Sequence, residues 1–229
     1  ADFINNLTHE FKTPIGTISL AADTISNSKV ITDEDKVRHF IGMIKKENSR
    51  MNRQVETILQ IATLDKHETD FNFTATDLHE VINQAVETIE IQVTDRGGVI
   101  TRHLDAGRSI ITGDGEHLRN LVHNLLDNAN KYSEREPEIT VRTRDNESGI
   151  FLIVEDRGIG MSKAVQHRVF ERFYRETTGN IHNVKGFGLG LNYAKAITDA
   201  HGGTISVESE EGHGSIFTVF LPFNGESRA

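Results

Sequence analysis

The feature that most constrains this chain is a heptad seam between residues 37 and 62. Apolar side chains recur there in alternating steps of four and three, with one polar interruption. The seam consists of Val37, Ile41, Ile44, Asn48, Met51, Val55, Ile58 and Ala62. Such a pattern predicts helices that pack side by side, and a polar seam residue such as Asn48 can set register or oligomeric state at some cost in stability.

A shorter amphipathic stripe precedes the seam and predicts a first helix. Its members are Phe3, Leu7, Phe11, Ile15 and Ile18. The polar stretch 26–28 interrupts the pattern. Thr32 and the acidic run 33–35 then predict the capped start of a second helix, because acidic side chains stabilise a helix N-terminus. Two helices cannot cover the seam by themselves, so we expect two copies to form a four-helix bundle, which makes the protein a homodimer. A monomeric hairpin packed on the rest of the chain is the alternative.

The periodicity of the apolar residues changes from helical to mixed helix and strand after a polar, aperiodic stretch at 65–72, which is predicted to be a hinge. The expected domains are therefore 1–68 and 69–229. Helices are predicted at 77–94, 114–133 and 189–201, and strands at 71–74, 99–104, 109–112, 138–145, 150–156, 204–209 and 214–221. Strands with helices between them, and neighbours spaced like a hairpin, predict an α/β sandwich with a mostly antiparallel mixed sheet. The fold class of the whole chain is thus α+β.

Composition excludes several kinds of function. The net charge of −9 argues against non-specific binding to nucleic acid, which needs a basic surface. The absence of cysteine excludes disulfides and thiolate metal sites. No apolar run is long enough for a transmembrane helix. We therefore expect that any membrane segment lies outside this sequence, and that a site for an anionic ligand must supply its own positive charge.

The first stripe carries a motif with chemistry, the run from Thr8 to Pro14. His9 and Thr13 are one helical turn apart, and Glu10 is next to the histidine. A neutral imidazole can attack phosphorus when one ring nitrogen is free and an acceptor holds the other, and Glu10 is suited to be that acceptor and base. Pro14 is expected to bend the helix just beyond the histidine. Alone, a histidine on a helix is more often a solvated or packed residue.

A polar stripe marks the predicted helix at 114–133. Asn124, Asn128 and Lys131 follow at spacings of four and three. Amide oxygens are hard ligands that suit Mg²⁺, and Lys131 offers the positive charge that the composition otherwise lacks. Asparagine is unfavourable inside a helix, so two of them one turn apart need a reason beyond a solvated face. Two histidines of this helix, His117 and His123, do not face each other and are expected to be surface or packing residues.

Two glycine motifs complete the set. Asp156 ends an apolar strand and is followed by Gly158 and Gly160, and a buried carboxylate there can accept the exocyclic amine of adenine. Glycines at 186, 188 and 190 precede a predicted helix, where backbone N–H groups can cradle an anion. Each motif alone is weak, since glycine-rich loops are more often turns. The stretch between them, 169–184, is expected to form a lid over nucleotide.

In this order the motifs resemble the boxes of the histidine kinase family of two-component signalling. The H, N, G1, F and G2 boxes correspond to residues 9–14, 124–132, 156–160, 170–173 and 186–190. The resemblance implies a dimerisation and histidine-phosphotransfer hairpin followed by a GHKL-type ATP-binding domain. It also implies ATP and Mg²⁺ as cofactors, a response-regulator receiver domain as partner, and the cytoplasmic portion of a membrane-anchored bacterial protein.

The same resemblance assigns roles to individual residues. His9 is the expected phosphoacceptor, with Glu10 as its base, and Thr13 matches the position that supports dephosphorylation of the regulator. Asn128 is the expected Mg²⁺ ligand. The residues expected to contact nucleotide are Asn124, Asn128, Lys131, Tyr132, Asp156, Gly158, Gly160, Arg175, Gly186, Gly188, Leu189 and Gly190.

Two rival functions remain open on sequence grounds. GHKL ATPases such as the gyrase B subunit carry a glutamate one turn before the magnesium asparagine, to activate water. Here that position is Asn124, a poor general base, which favours transfer to His9 over hydrolysis. The other rival is a non-catalytic dimeric scaffold that binds nucleotide only to change shape, and the adjacent His9 and Glu10 argue against it.

Overall fold

The structure is a computed structural model that describes residues 2–27, 30–65, 70–172, 174 and 188–223. These residues form two compact units, one helical and one of mixed α/β structure. The predicted boundary between 68 and 69 and half of the predicted hinge fall outside the described residues, so both stay predictions. Among the described helices, none is both long enough and apolar enough to cross a bilayer.

The helical unit is a pair of long helices, α1 (Asp2–Ile25) and α2 (Glu34–Asp65). Asp33 begins α2 as predicted from the acidic run, because its carboxylate accepts the N–H of Lys36 at 3.2 Å and pairs with the lysine ammonium at 2.7 Å. Helix α1 continues through Pro14. The helical periodicity of both stripes is therefore confirmed.

The α/β unit begins with a short strand and alternates strands with helices. Its first elements are β1 (Thr74–Asp77), α3 (Leu78–Thr94), β2 (Val99–Leu104), β3 (Ile110–Gly113) and α4 (Gly115–Lys131). The remaining elements are β4 (Glu138–Asp145), β5 (Gly149–Asp156), α5 (Lys163–Arg168), α6 (Gly190–Ala200), β6 (Thr204–Glu210) and β7 (Gly214–Pro222).

The main sheet has the strand order β2-β4-β5-β7-β6. Only β2 and β4 pair in parallel, and the other neighbours are antiparallel, so the predicted mixed sheet is confirmed. Alternate residues of β5 are buried, Ile150, Leu152 and Val154 among them, and helices α3, α4 and α6 pack on one another and on the sheet. This packing leaves the C-terminal end of β5 next to the end of α4, where the candidate site lies.

One predicted strand was misplaced. A strand was predicted at 71–74, but the strand is Thr74–Asp77, antiparallel to β3. The two phenylalanine rings instead lie 5.0 and 4.9 Å from the imidazoles of His117 and His201. Ring packing against these two histidines therefore replaces strand pairing at 71–73. The short helix α5, capped by the hydroxyl of Ser162, was not predicted.

Candidate active site

The polar stripe of α4 lies on a helix that its core face holds in place. Asp114 caps the N-terminus by accepting the N–H groups of Glu116 and His117, each at 3.1 Å. The opposite face is fully buried, with leucines at 118, 121, 125 and 126. Asn124 and Asn128 are half-buried on the remaining face, one turn apart, as the spacing predicted. The helix thus presents two amide side chains in a fixed row.

Lys131 ends this row and is paired. Its ammonium group contacts the carboxylate of Asp127, one turn earlier on α4. Sequence reasoning did not single out Asp127, although the spacing of four residues was visible. Because the lysine side chain is partly exposed, the pair is weak. Lys131 is therefore at the end of the row, as predicted, with its charge offset by Asp127.

Asp156 is a buried carboxylate at the end of β5, as the sequence predicted. Asp156 is 6% exposed, and one oxygen of its carboxylate accepts the N–H of Gly158 at 2.8 Å. Burial raises the pKa of Asp156 to about 6, against the lowering effect of hydrogen bonds from the N–H groups of Gly158 and Ser215. A carboxylate held in this way is an acceptor in apolar surroundings, suited to a ligand that brings N–H donors.

The loop after Asp156 needs its two glycines. A β-carbon added at Gly158 would lie 2.6 Å from the carbonyl oxygen of Tyr132 and 2.8 Å from an oxygen of Asp156. Gly160 has φ of +67°, and a β-carbon there would overlap the carbonyl oxygen of Glu210. Sequence reasoning attributed these glycines to close approach of a ligand. The structure adds close approach of the protein's own backbone, which fixes the loop beside Tyr132.

Helix α6 begins against the same row of α4. A β-carbon added at Gly190 would lie 3.0 Å from the amide oxygen of Asn124, so the first turn of α6 meets this side chain closely. Gly188, with φ of +67°, and Leu189 directly precede the helix. A helix N-terminus offers N–H groups and the positive end of the helix dipole. The structure thus places Gly190, at the start of α6, beside Asn124, and the anion cradle stays a prediction.

A hydrogen-bonded contact between α4 and α6 was not foreseen. The hydroxyl of Tyr193, on α6, lies 2.7 Å from Nδ1 of His117 and is fully buried. Burial raises the pKa of Tyr193. Packing around His117, which was predicted for this residue, thus holds α6 in its place beside α4.

Three predicted residues of the helical unit lie on α1. His9 and Glu10 fall within the helix, and their side chains are outside what the structure describes. Thr13 is exposed one turn further on, and its carbonyl oxygen accepts the hydroxyl of Thr17 at 3.1 Å. Arg175 and Gly186, and most of the predicted lid, also fall outside the described residues. Their roles stay predictions.

Two family models match the chain in succession. Residues 1–67 match the His Kinase A (phospho-acceptor) domain, and residues 113–225 match the histidine kinase-, DNA gyrase B- and HSP90-like ATPase. Sensor protein RprX of Bacteroides fragilis is 42% identical over 223 residues, which are 96% of this chain and 43% of that protein. Sensor protein SrrB of Staphylococcus aureus is 30% identical over 221 residues, 96% of this chain and 38% of that protein. The chain thus spans less than half the length of these curated relatives.

A solved structure shares the fold of the whole chain. The histidine kinase ThkA, crystallised in complex with the response regulator protein TrrA, is 21% identical and aligns over 100% of this chain and 63% of its own, with a TM-score of 0.72. At this level of identity the likeness concerns the fold. It confirms a helical N-terminal region followed by an ATPase-type α/β unit.

Proposed function

The chain belongs to the histidine kinase family, and from that membership we propose that it acts as an ATP-dependent protein histidine kinase. It phosphorylates His9 and passes the phosphoryl group to an aspartate of a response regulator. The proposal treats the chain as the cytoplasmic kinase core of a bacterial membrane-anchored sensor protein.

The residues at the end of β5 fit the base of ATP. Asp156 is buried and has a raised pKa, so a ligand that donates an N–H to it relieves an unfavourable burial. The exocyclic amine of adenine is such a donor. A β-carbon at Gly158 would crowd this carboxylate and the carbonyl oxygen of Tyr132, so the glycine lets the loop pack beside both. In this proposal Tyr132 and Gly160 complete the wall around the base.

The row on α4 fits the phosphates. The amide oxygen of Asn128 is the kind of hard donor that Mg²⁺ prefers, and Mg²⁺ bound there would offset charge on the phosphates. Asn124 and the N–H groups at the start of α6 face the same region. Lys131 exchanges Asp127 for a phosphate oxygen when nucleotide binds.

In the proposed transfer, a ring nitrogen of His9 attacks the γ-phosphorus. An N–P bond forms while the bond from phosphorus to the bridging oxygen breaks, and ADP leaves. Glu10 holds the other ring nitrogen and takes its proton as the product forms. In the second step an aspartate oxygen of the receiver domain attacks the same phosphorus, the N–P bond breaks, and the imidazole regains a proton. In a separate reaction, water attacks the phosphorus of the regulator's aspartyl phosphate, the acyl O–P bond breaks and inorganic phosphate leaves, with Thr13 orienting the water.

One observation carries the choice of a kinase over a hydrolase. The side chain that lies one turn before Asn128 and against the start of α6 is the amide of Asn124. An amide does not take a proton from water at neutral pH, so bound ATP lacks a general base for hydrolysis. The γ-phosphate is then available to His9.

The exposed apolar residues of the helical unit support a dimer. In the single chain Leu20 is 69% exposed, and the seam residues Ile41 and Val55 are also exposed. Side chains of this kind in a regular seam are covered when a second hairpin packs on the first. We therefore propose a homodimer through α1 and α2, which light scattering of the purified chain tests directly.

The test of the kinase uses ATP labelled at the γ-phosphate. We expect an acid-labile, alkali-stable label on the wild-type chain, no label on His9→Gln, and normal labelling of the control His39→Gln on α2. Transfer of that label to a receiver domain then tests the second step. Rapid release of phosphate without a labelled chain favours the ATPase, and label retained in His9→Gln contradicts the choice of histidine.

Mixing two inactive variants tells whether transfer occurs within one chain or across the dimer. Asp156→Asn keeps its histidine, and His9→Gln keeps its nucleotide site. Label that appears only on the Asp156→Asn chain after mixing indicates transfer between chains. Absence of label in a mixture that forms heterodimers indicates transfer within one chain.

A further inference from the structure

Arg96 lies outside all five boxes, in the turn that ends α3. The turn is fixed by its own backbone: Gly97 has φ of +75°, and the N–H of Gly98 reaches back to the carbonyl oxygen of Val93 at 2.9 Å. The N–H of Arg96 bonds to the same carbonyl oxygen at 3.1 Å. The start of the arginine side chain is therefore held in one place.

The guanidinium group of Arg96 reaches the end of α4. It donates to the carbonyl oxygen of Asn130, to the side-chain oxygen of Asn130 at 2.9 Å, and to the carbonyl oxygen of Ser133 at 2.6 Å. Both partners are buried, with exposures of 6% and 5%. The last carbonyl groups of a helix lack partners within the helix and carry its negative end, so a planar cation with several donors matches them well.

Tyr132, which lies between these two partners in sequence, belongs to the proposed adenine wall. The carbonyl oxygen of Tyr132 accepts the N–H of Ile159 at 3.1 Å, and Gly158 packs against the same oxygen. Segment 130–133 is therefore held on one side by Arg96 and on the other by the loop that follows Asp156. A shift of this segment would move the loop, since the hydrogen bond and the close contact couple the two.

We propose that Arg96 is a positioning residue for adenine binding, acting through segment 130–133 on the loop that carries Gly158 and on Asp156. This inference rests on the proposed function, because it assumes that the base of ATP lies against Asp156. Arg96 touches neither nucleotide nor phosphate in this role. The planar fork, and not the charge alone, is what bridges Asn130 and Ser133.

The test measures the affinity of the 229-residue chain for adenosine and for ADP, in wild type and in Arg96→Gln and Arg96→Lys. Both variants are expected to bind both ligands about tenfold more weakly, the scale on which residues that orient a binding group act. Arg96→Lys keeps the charge and loses the fork, so it is expected to resemble Arg96→Gln. Arg102→Gln, which removes an exposed arginine on β2, is the charge-matched control and is expected to bind as wild type does.

A second control separates positioning from loss of stability. Val219→Ala removes buried volume from β7, four residues along the strand from Ser215, which pairs with Asp156. Affinities are measured well below the melting temperature of every variant. Val219→Ala is expected to lower the melting temperature and to keep wild-type affinity.

The outcomes distinguish the positioning role of Arg96 from a role at the phosphates and from a general loss of stability. Equal losses for adenosine and ADP in both Arg96 variants support the proposal. A loss for ADP alone would overturn it, because Arg96 would then act on the phosphates. Unchanged affinity in the Arg96 variants would also overturn it, as would a loss of the same size in Val219→Ala. If the wild-type chain binds neither ligand, the proposed function itself fails.

Discussion

Replacing Asp156 by asparagine is expected to stabilise the α/β unit at neutral pH. The folded protein raises the pKa of this carboxyl from 3.8 to about 6, chiefly by burial. The folded state thus prefers the protonated form. The contribution of Asp156 to the free energy of unfolding is therefore favourable below the pKa of the unfolded chain and is lost as pH rises through the folded-state pKa of about 6.

The size of the effect follows from the same two pKa values. The shift is the difference between about 6 and 3.8, roughly two pH units. At about 1.4 kcal/mol per unit, the ionised carboxylate costs the folded state on the order of 3 kcal/mol at pH 7, roughly half of that at pH 5, and little at pH 4. Asparagine has no such charge. The substitution also removes one acceptor oxygen, which lowers the free energy of unfolding by about 1 kcal/mol independently of pH.

The assay is urea unfolding of wild type and Asp156→Asn from pH 4 to pH 8. All three tyrosines lie at 132, 174 and 193, so tyrosine emission reports on the α/β unit, and tryptophan is absent. The free energy of unfolding of the variant minus that of wild type is expected to rise with pH by about 2 kcal/mol and to level off above pH 7. A difference that stays flat over this range would refute the argument.

Asp77 provides a control of opposite sign. Burial raises the pKa of its carboxyl, but hydrogen bonds from the side chain of Ser109 and the N–H of His79 outweigh this, and the net pKa is lowered. Its contribution to stability is therefore present above the pKa of the unfolded chain and is lost as pH falls. Asp77→Asn is expected to be less stable than wild type at neutral pH, with a difference that holds down to about pH 4 and shrinks only below it.

Two further predictions concern Gly160 and His201. Gly160→Ala places a methyl group on the carbonyl oxygen of Glu210 at positive φ and is expected to lower the free energy of unfolding by about 3 kcal/mol or more in thermal unfolding. The control Gly212→Ala, also at positive φ but in open space, is expected to lower it by only about 1 kcal/mol. Equal losses in the two variants would contradict the steric argument. Burial lowers the pKa of His201, whose Nε2 accepts the N–H of Asp114 at 3.0 Å. The contribution of His201 to the free energy of unfolding is therefore expected to fall as pH drops below about 6.5. If the loss of stability at acid pH is the same in His201→Gln as in wild type, this prediction is wrong.

Sequence periodicity was sufficient for the elements that bury a regular stripe. The helices at 78–94 and 115–131 and the hairpin of β4 and β5 were predicted within a few residues, because each alternates core and solvent positions over its length. The strand at 74–77 was not, because its phenylalanine neighbours mimic a strand pattern while they pack on histidine rings. Helix α5 buries only Val165 among its residues, which leaves too weak a stripe to detect.

The candidate site was predictable in its residue types and not in its partners. Asn124, Asn128 and Asp156 stood out because asparagine within a helix and a carboxylate at the end of an apolar strand are locally unfavourable. Asp127 did not stand out, since a charged pair one turn apart also occurs on ordinary solvated helices. Arg96 did not either, because its hydrogen bonds span 34 residues of sequence and the residue itself is exposed.

In the proposed function, ligand binding and not folding accounts for Asp156. Its buried carboxylate disfavours the folded state above pH 6, and an uncharged residue would relieve that cost. Yet the backbone is built tightly around it: a β-carbon at Gly158 would crowd its oxygen, and one at Gly214 would overlap its carbonyl oxygen. Two glycines that hold an unfavourable carboxylate in one position make sense if the bound state repays that position with a donor. The stabilisation expected for Asp156→Asn and its inactivity in the labelling experiment therefore follow from the same buried carboxylate.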